Sequence, residues 1–598
     1  DYFAPNPTTT RGQPVRLSAD PSGTKFVYAS GRSIVIRSLA NPSKSWEYTG
    51  HTQPTTVAKF SPSSYYVASG DTMGNVRIWD SVNDTHILKS EFRPISGRIN
   101  DISWDMESQR VMAVGEGKEK FGHVFAYDSG NSLGTVEGHS KVINACSMRQ
   151  QRPFRAVTCS DDGTCVFYHG APYKFNCTLQ EHSGFVMDAK YSPSDEFFVT
   201  VGADKKIFLY DGKTATLVRQ VAKTAEAPHT GSIYAVAWSP DSRFIVTSSG
   251  DRTCKFWDIA EDRLVGTVEI SSVAAPEHQQ VGNLWAGEHI VSLSLSGDIN
   301  VLQMGADRPV RTITGHQKAI TAAALAPPSG PLYTGSYDGK LCTWDLATGI
   351  ACSVEGAKTN AKPEDIAAAT NSTIALGFID DAVRFARDSK MTGAAAGLGA
   401  APVSLAIDPS GATVVAALAN GDLALVSLAT QQATKMPGSP AQAVAISHAS
   451  VVAVGYGDNS VRLFQLANGT LAPTGVSVTA NTRPITRLAF SPDGQLLAAG
   501  DAGGKIVVAR ADTGEIVTTR WGAHTARIYG LAWSPDNEHA ASSSLDGHVI
   551  VWSTTDPLRK TIIKNAHLGG ASAVAFVDSQ TVVSTGADGG VKVWSIVY

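Results

Sequence analysis

The sequence predicts an all-β protein built from many copies of one repeated unit. A short strand that ends in Trp-Asp recurs, as in "NVRIWD" at 75–80, "TCKFWD" at 253–258 and "KLCTWD" at 340–345. A Gly-His or Ala-His pair often precedes a copy, and five Ser-Pro turns lie between the predicted first and second strands of units. The 55 glycines and only 8 methionines also suit a turn-rich β protein.

The spacing identifies the repeat. Equivalent strands end at 37, 79, 127, 168, 210, 257, 302, 344, 386, 426, 464, 509, 552 and 594, which makes fourteen units of about 43 residues. A period of about 40–45 residues with Gly-His and Trp-Asp marks is typical of WD40 repeats, each of which gives four strands to one propeller blade. Because propellers typically have about 4–8 blades, we predict two seven-bladed WD40 β-propellers in tandem.

The repeat positions also predict the domain boundaries. We expect an N-terminal propeller over 11–314 and a C-terminal propeller over 315–598. The last unit stops at its third strand, "VKVWSIVY", whereas residues 1–10 precede the first unit. Residues 1–10 are therefore predicted to supply the outer strand of the last blade, which would cover an exposed sheet edge. The Ala-rich text between 390 and 450 keeps an alternating apolar pattern and is interpreted as degenerate blades.

Composition excludes several classes of function. The formal net charge is −4 and the pI about 6.4, so nucleic acid is not an expected partner. No Lys/Arg run indicates a membrane surface, and no apolar run approaches the ~18 residues of a membrane span. The seven cysteines form no C-x-x-C pair, which argues against a metal site or a disulfide framework. We expect a cytoplasmic protein that binds neither membranes nor nucleic acid and has no metal and no cofactor.

The recurring His, Ser/Thr, Asp and Trp residues allow two interpretations. They could form a catalytic triad, or a buried hydrogen-bond chain that ties the turns of a blade to its strands. The structural interpretation is favoured, because the set recurs in many units whereas an active site occurs once. No nucleophile-elbow, metalloprotease, P-loop or dinucleotide-binding motif stands in a suitable context. We therefore expect no catalytic residues, no enzyme activity, and a platform for binding other molecules.

Two units depart from the repeat and are candidates for contact sites. The third is longer than average, and its extra residues fall in "VGEGKEKFGHVFAYD" at 114–128, which is either a solvated charged turn or a protruding contact loop. The fourth contains "RPFR" at 152–155 and the acidic pair Asp161-Asp162. Asp162 takes the structural Asp position of the repeat, which leaves Asp161 as the freer carboxylate. Aromatic residues with nearby charges at a blade rim are typical of protein–protein hot spots.

The segment "GAPYKF" at 170–175 joins the third strand of the fourth unit to its outer strand. Connecting loops are usually polar, so this aromatic content is unexpected. Tyr173 and Phe175 are two residues apart and should share one face of the strand, with Lys174 on the other. We interpret Tyr173 as packing and Phe175 as an anchor for a partner.

These stretches make the whole chain resemble the actin-interacting protein 1 family, the tandem-propeller WD-repeat partners of cofilin. The resemblance is strongest in "GDTMGNVRIWD", "VGEGKEKFGHVFAYDSGNSLG", "RPFR", "GAPYKF" and "SLDGHVIVW". It implies binding to actin filaments decorated with cofilin/ADF, enhanced severing and depolymerisation, and restrained barbed-end regrowth. The family's actin- and cofilin-binding residues correspond by motif to Glu119, Asp161, Lys174, Phe175 and Phe185.

A different class of function stays open at this point. A general WD40 scaffold, such as a ubiquitin-ligase substrate receptor or a trafficking adaptor, would share the repeats. Such proteins usually add a helical recruiting segment, whereas blades account for nearly every residue here. The resemblance favours actin filaments and cofilin as partners, a monomer, and a location at the actin cytoskeleton.

Overall fold

Fourteen four-stranded antiparallel sheets form the blades of this protein. The computed structural model describes residues 1–41, 43–223, 228–327, 330–357, 361–395, 397–436, 440–467 and 469–598. In each sheet the strands pair in the order a, b, c and d, and the a strands of neighbouring blades contact one another. The a strands therefore line the centre of each ring and the d strands its outer edge.

The first seven blades follow the chain in order, with one three-residue 3₁₀ helix, Pro276–His278, before blade 7. Their strands a to d are, in blade 1, Ser18–Ala19, Lys25–Ser30, Ser33–Ser38 and Ser45–Tyr48; in blade 2, Thr55–Phe60, Tyr66–Asp71, Val76–Asp80 and Leu88–Phe92; in blade 3, Ile99–Trp104, Arg110–Gly115, Gly122–Ala126 and Ser132–Thr135; in blade 4, Ile143–Met148, Arg155–Ser160, Cys165–His169 and Lys174–Leu179; in blade 5, Val186–Tyr191, Phe197–Gly202, Ile207–Asp211 and Leu217–Gln220; in blade 6, Ile233–Trp238, Phe244–Ser249, Thr253–Asp258 and Arg263–Glu269; and in blade 7, Gln280–Ala286, His289–Ser294, Ile299–Leu302 and Arg311–Ile313.

The remaining blades follow the same plan, except that the last takes its d strand from the N-terminus. Their strands a to d are, in blade 8, Ile320–Leu325, Leu332–Ser336, Leu341–Asp345 and Ile350–Ser353; in blade 9, Pro363–Ala368, Ile374–Phe378, Ala382–Arg387 and Lys390–Ala395; in blade 10, Pro402–Ile407, Thr413–Leu418, Leu423–Ser427 and Ala433–Met436; in blade 11, Ala441–Ile446, Val451–Tyr456, Val461–Ala467 and Thr470–Val478; in blade 12, Ile485–Phe490, Leu496–Asp501, Ile506–Arg510 and Ile516–Trp521; in blade 13, Ile528–Trp533, His539–Ser544, Val549–Ser553 and Lys560–Ile563; and in blade 14, Ala571–Phe576, Thr581–Gly586, Val591–Ser595 and Tyr2–Phe3.

Each set of seven blades closes on itself. The a strand of blade 1 contacts that of blade 7, and the a strand of blade 8 contacts that of blade 14. The chain divides into two compact units, 6–317 and 1–5 with 318–598, called here the first and the second propeller. The prediction of two seven-bladed WD40 propellers is confirmed. The described residues contain no helix with the length and hydrophobicity needed to cross a membrane.

The N-terminal segment is shared between the two units. Tyr2 and Phe3 pair with Lys592 and Val591, and the Phe3 ring stacks on Trp344 with 6.1 Å between centroids. From Asn6 onward the chain bonds to the first propeller instead, beginning with Asn6 N–H to the carbonyl of His316 at 2.8 Å. The units therefore change over between residues 5 and 6 and between 317 and 318, a few residues from the boundaries expected from the repeat spacing.

Apolar clusters fill the spaces between neighbouring blades. The Ala-rich region between 390 and 450 follows this pattern, because small side chains there pack against Phe385, Leu398 and Val414 in one buried cluster. The described residues of this region form strands of blades 9 to 11.

In blades 2 to 14 the pairing of strand a with strand b shifts between the first and third residues of strand a. The second residue is a β-bulge, which lies outside the hydrogen-bonded ladder and can be aimed away from it. The bulge residues are Thr56, Asn100, Asn144, Met187, Tyr234 and Val281 in the first propeller, and Thr321, Glu364, Val403, Gln442, Thr486, Tyr529 and Ser572 in the second.

Buried hydrogen-bond chains explain the recurring His, Ser/Thr, Asp and Trp residues. In blade 13, His524 Nδ1 lies 2.9 Å from Asp546 Oδ2, and its Nε2 lies 2.8 Å from Ser542 Oγ. Trp552 Nε1 donates to the same Ser542 hydroxyl at 2.8 Å. Blades 6 and 14 repeat this arrangement around His229 and His567. Each of these hydrogen-bond chains holds the connection that precedes a blade against strands b and c of that blade.

Ser542→Ala is expected to lower the free energy of unfolding by about 1–3 kcal/mol, because it leaves the Trp552 indole and His524 ring without their shared partner. The adjacent Ser543 supplies a matched control, since it is also buried but its hydroxyl has no hydrogen-bond partner among the described residues. Ser543→Ala should therefore change stability little. Urea unfolding followed by tryptophan fluorescence measures both variants, and equal losses would contradict the assignment.

The same chains predict a dependence of stability on pH. Burial lowers the pKa of His229 and of His524 from 6.5, despite hydrogen bonds to Asp251 and Asp546 that act in the opposite direction. Burial would raise the pKa of these two carboxyls, but their hydrogen bonds, including those from the histidines, lower it from 3.8. Groups of both kinds bind protons more readily in the unfolded chain. The histidines therefore lose their stabilising effect as the pH falls below 6.5, and the carboxyls lose theirs as it falls below 3.8.

We expect the melting temperature to fall by roughly 5 °C between pH 7.5 and pH 4.5. Differential scanning calorimetry at constant ionic strength measures this change. A melting temperature that rises as the pH falls over this interval would contradict the prediction.

Candidate functional site

The antiparallel order of strands places the b–c turns and the d–a connections at the same end of every blade, called here the upper face. Glu119 lies in the b–c turn of blade 3 and Asp161 in that of blade 4, while Phe185 ends the connection that precedes strand a of blade 5. These three predicted residues therefore lie on the upper face of the first propeller, on consecutive blades.

Asp161 and Phe185 line one cavity of about 230 Å³ in the first propeller. Asp161 is half-buried, and its Oδ1 accepts a hydrogen bond from Asn144 Nδ2 at 2.7 Å. The same amide donates to the carbonyl of Val186 at 2.9 Å, so the carboxylate is held in one position. The Phe185 ring is 48% exposed, and Lys141 Nζ lies 5.9 Å from its centroid.

The structure separates the two aromatic residues of "GAPYKF" into different roles. Tyr173 is buried, its backbone N–H donates to the carbonyl of Leu133 at 2.8 Å, and it packs between blades 3 and 4. Phe175 is 47% exposed and its ring lies against Gly138, where an added Cβ would stand 2.8 Å from two ring carbons. Phe175 thus reaches the connection between blades 3 and 4 while presenting about half of its surface to solvent.

Lys174 does not join the cavity. It begins strand d of blade 4, pairs with His169 in strand c, and is exposed. Strand d begins at the opposite, lower end of the blade, beside the c–d turn. The residue is solvent-accessible, but the described contacts do not bring it to Asp161 or Phe185.

The charged loop of blade 3 is fixed at its base and exposed at its tip. Gly115 N–H donates to the carbonyl of Phe121 at 2.8 Å and closes the loop, while Phe121 packs on the cluster between blades 3 and 4. Gly117 has no room for a side chain, because a Cβ there would stand 1.6 Å from the carbonyl oxygen of Lys120. Glu119 is exposed at the tip, so the backbone is ordered locally while the carboxylate is free to meet a partner.

Bulge residues complete the cavity and were not foreseen from the sequence. Thr56, Asn100, Asn144 and Met187 all line it, together with residues 11–14 of the N-terminal segment. The second propeller has an equivalent cavity of about 540 Å³ that all seven of its bulge residues line. The signal that could have revealed them is positional: each is the second residue of its strand a.

A buried group of charges lies deeper in the first propeller. Arg16 is 3% exposed, donates to the carbonyls of Asn144 and Met187 at 2.9 and 2.8 Å, and its Nη1 lies 2.8 Å from Asp188 Oδ1. Lys59 Nζ and Lys190 Nζ lie 3.5 and 3.7 Å from Asp101. We call the five charged residues Arg16, Lys59, Asp101, Asp188 and Lys190 the channel cluster.

The charges of the channel cluster shift its proton affinities. Burial would raise the pKa of Asp101, but Lys59, Lys190 and Arg16 lower it to about 2. Burial lowers the pKa of Lys59 to about 8, although Asp101 opposes this change. At Lys59 the cost of burying the ammonium group therefore outweighs its attraction to Asp101.

One group among the described residues has the spacing of a metal site. The ligand atoms of Asp536, Glu538 and His539 all lie within 4.8 Å of one another. Asp536 Oδ1 already accepts hydrogen bonds from Ser534 Oγ and from the backbone N–H of Glu538, at 2.5 and 3.0 Å. The His539 ring stacks on Tyr598 with 3.6 Å between centroids. These contacts account for the group as an exposed turn.

Comparison with known proteins identifies relatives along the whole chain. The family model described as "WD domain, G-beta repeat" matches residues 42–80, 130–169, 173–211, 223–258, 307–345, 474–508, 514–553 and 559–595. "Actin-interacting protein 1" of Drosophila melanogaster is 39% identical, covering 100% of this chain and 98% of the relative. "WD repeat-containing protein 1" of Gallus gallus gives the same values, and the "66 kDa stress protein" of Physarum polycephalum is 38% identical over 99% and 98%.

Proposed function

The chain belongs to the actin-interacting protein 1 family of WD40-repeat proteins, and from this premise we propose that it binds actin filaments decorated with cofilin. There it enhances severing and depolymerisation and restrains the regrowth of barbed ends. Its partners are actin filaments and cofilin, it works as a monomer at the actin cytoskeleton, and it performs no covalent chemistry.

The observation that carries this proposal is the pair of half-exposed phenylalanines on the first propeller. Phe175 and Phe185 expose 47% and 48% of their surface although each is held by a local contact, with Gly138 and with Lys141. Aromatic side chains fixed at a surface are typical anchors of protein–protein interfaces, because they bury large area at small entropic cost. We propose that these two rings are the apolar anchors.

Charged groups next to the anchors give the surface its specificity. Asp161 is held by Asn144 at 2.7 Å, so it loses little freedom when a partner's cation approaches. Glu119 and Lys174 are exposed, and we propose that they act at the edge of the interface. Charges at an interface edge act mainly on the association rate and its salt dependence.

The mechanism requires only a difference in affinity. A protein that binds the cofilin-bound filament conformation more tightly than the bare filament shifts the filament population towards that conformation. Binding that also blocks filament ends would restrain regrowth. The free energy for turnover comes from the nucleotide cycle of actin, so the propeller needs no catalytic group.

Sedimentation of actin filaments tests the proposal. We expect this protein to lower the pelleted fraction of actin when cofilin is present and to change it little when cofilin is absent. An unchanged pelleted fraction in the presence of cofilin would refute the proposal. A pull-down from cytosol should recover actin and cofilin together, whereas recovery of ubiquitin-ligase subunits instead would favour the general scaffold.

A further inference from the structure

The a strands of the first propeller surround a central channel. At its lower end lies a second cavity, of about 400 Å³, lined by residues from all seven blades. The fifth residue of strand a points into it from four consecutive blades. These residues are Lys59, Ser103, Ser147 and Lys190, and all four carry side-chain hydrogen-bond donors. We call them the donor arc.

The two lysines of the donor arc share two carboxylates with Arg16. Lys59 Nζ and Lys190 Nζ come no nearer than 3.5 Å to any carboxylate among the described residues. The nearest acids are engaged elsewhere, since Asp188 takes Arg16 at 2.8 Å and Asp101 accepts the backbone N–H of Ile102 at 2.9 Å. The channel cluster therefore has three cations and two anions, and one positive charge stays uncompensated.

The two serines of the donor arc can also donate into the cavity. The Ser103 hydroxyl oxygen accepts the backbone N–H of Met148 at 3.0 Å, and that of Ser147 accepts Tyr191 N–H at 3.1 Å. Neither hydroxyl donates to an acceptor within the described part of the chain. In each serine the oxygen accepts one hydrogen bond, and the O–H group can still donate a hydrogen bond to a ligand.

Three tryptophans line the cavity beside the donor arc. Trp285 is half-buried, whereas Trp104 and Trp238 expose only 4% and 5% of their surface, and no acidic side chain stands among the described lining residues. Two of the indoles are fixed by their N–H groups, which donate to the carbonyls of Lys59 and Lys190 at 3.2 and 3.1 Å. A planar or apolar body is the shape and chemistry that such walls accept.

We propose that this lower cavity binds a phosphate monoester carried on a planar ring. Three phosphate oxygens suit four donors that come from four blades, and the excess positive charge of the channel cluster attracts the negative charge of a phosphate group. The ring would lie against Trp285, the most exposed of the three indoles. The lining of this cavity includes none of the five residues proposed to bind actin filaments and cofilin.

Isothermal titration of the full chain with phenyl phosphate tests this site. We expect one phenyl phosphate per chain, at least tenfold weaker binding in Lys190→Met and in Lys59→Met, and unchanged binding in Lys213→Met, which alters an exposed lysine in blade 5. Either arc substitution reduces the excess positive charge, so both variants should fold, and their melting temperatures check this. No binding of phenyl phosphate, or undiminished binding by both arc variants, would overturn the proposal.

Two further probes separate the parts of the proposal. Inorganic phosphate should bind at least tenfold more weakly than phenyl phosphate, and equal affinity would overturn the role of the aromatic walls. A phosphotyrosine pentapeptide carries the same aryl phosphate on a chain. Tighter binding of the peptide would assign the group to a partner protein, and tighter binding of free phenyl phosphate would assign it to a small molecule.

Discussion

Replacing Phe175 and Phe185 together by alanine is expected to weaken binding to cofilin-decorated actin filaments roughly ten- to a hundredfold. Full burial of a phenylalanine is worth about 1.5–3 kcal/mol, and each ring has about half of its surface left to bury. The two losses then sum to about 1.5–3 kcal/mol, where each 1.4 kcal/mol is a factor of ten. Co-sedimentation over a range of filament concentrations measures the dissociation constants.

A matched control lies on the outer strand of blade 5. Leu217 and Val218 are 41% and 44% exposed, so replacing both by alanine removes comparable apolar surface from the same propeller. That variant should bind like the unmodified protein. If the two double variants weaken binding equally, or if the phenylalanine variant binds normally, the two rings are not the anchors.

Removing the charge of Asp188 is expected to destabilise the protein by about 3–5 kcal/mol, because buried charges tolerate the loss of a partner poorly. Asp188→Asn keeps an oxygen that can accept the backbone N–H of Val236, now at 3.1 Å. It leaves three cations of the channel cluster facing one carboxylate. Calorimetry should show a melting temperature lower by roughly 10 °C.

Arg16→Met is the informative comparison. It also removes a buried charge, but it leaves two cations facing two anions and replaces the arginine by an apolar side chain of similar length. We expect less than half of the loss seen with Asp188→Asn. A larger loss in Arg16→Met would mean that its hydrogen bonds to Asn144 and Met187, not the charge balance, dominate.

The repeat pattern predicts this fold well because its marks are local. The Trp-Asp strand ends and the Gly-His pairs each report on contacts within one blade, such as Trp552 with Ser542 and His524. Counting the strands is enough to predict the outer strand of blade 14. The length of this strand cannot be predicted in that way, because it ends where Asn6 bonds to the other unit, at a residue 310 positions away in the sequence.

The site residues were harder to place for a physical reason. Phe185 and Asp161 meet because two blades lie side by side, and alternation within a strand gives no such information. Lys174 and Phe175 are neighbours in sequence, yet only the aromatic ring leans against Gly138. The channel cluster cannot be predicted from the sequence, because nothing in the sequence distinguishes Arg16, Lys59 and Asp188 from other polar residues. Only closure of the ring of blades brings them together.

The bulge at the second residue of each a strand separates recognition from construction. A residue outside the hydrogen-bonded ladder can change its chemistry without altering how the blade is paired. The seven bulge residues of the second propeller include the acidic Glu364, the aromatic Tyr529 and the small polar Ser572. Strands a and b nevertheless pair in the same way in all three of these blades. The residues that line the cavity of a propeller can therefore be substituted one blade at a time. These positions are the natural sites for engineering a new binding specificity into an unchanged scaffold.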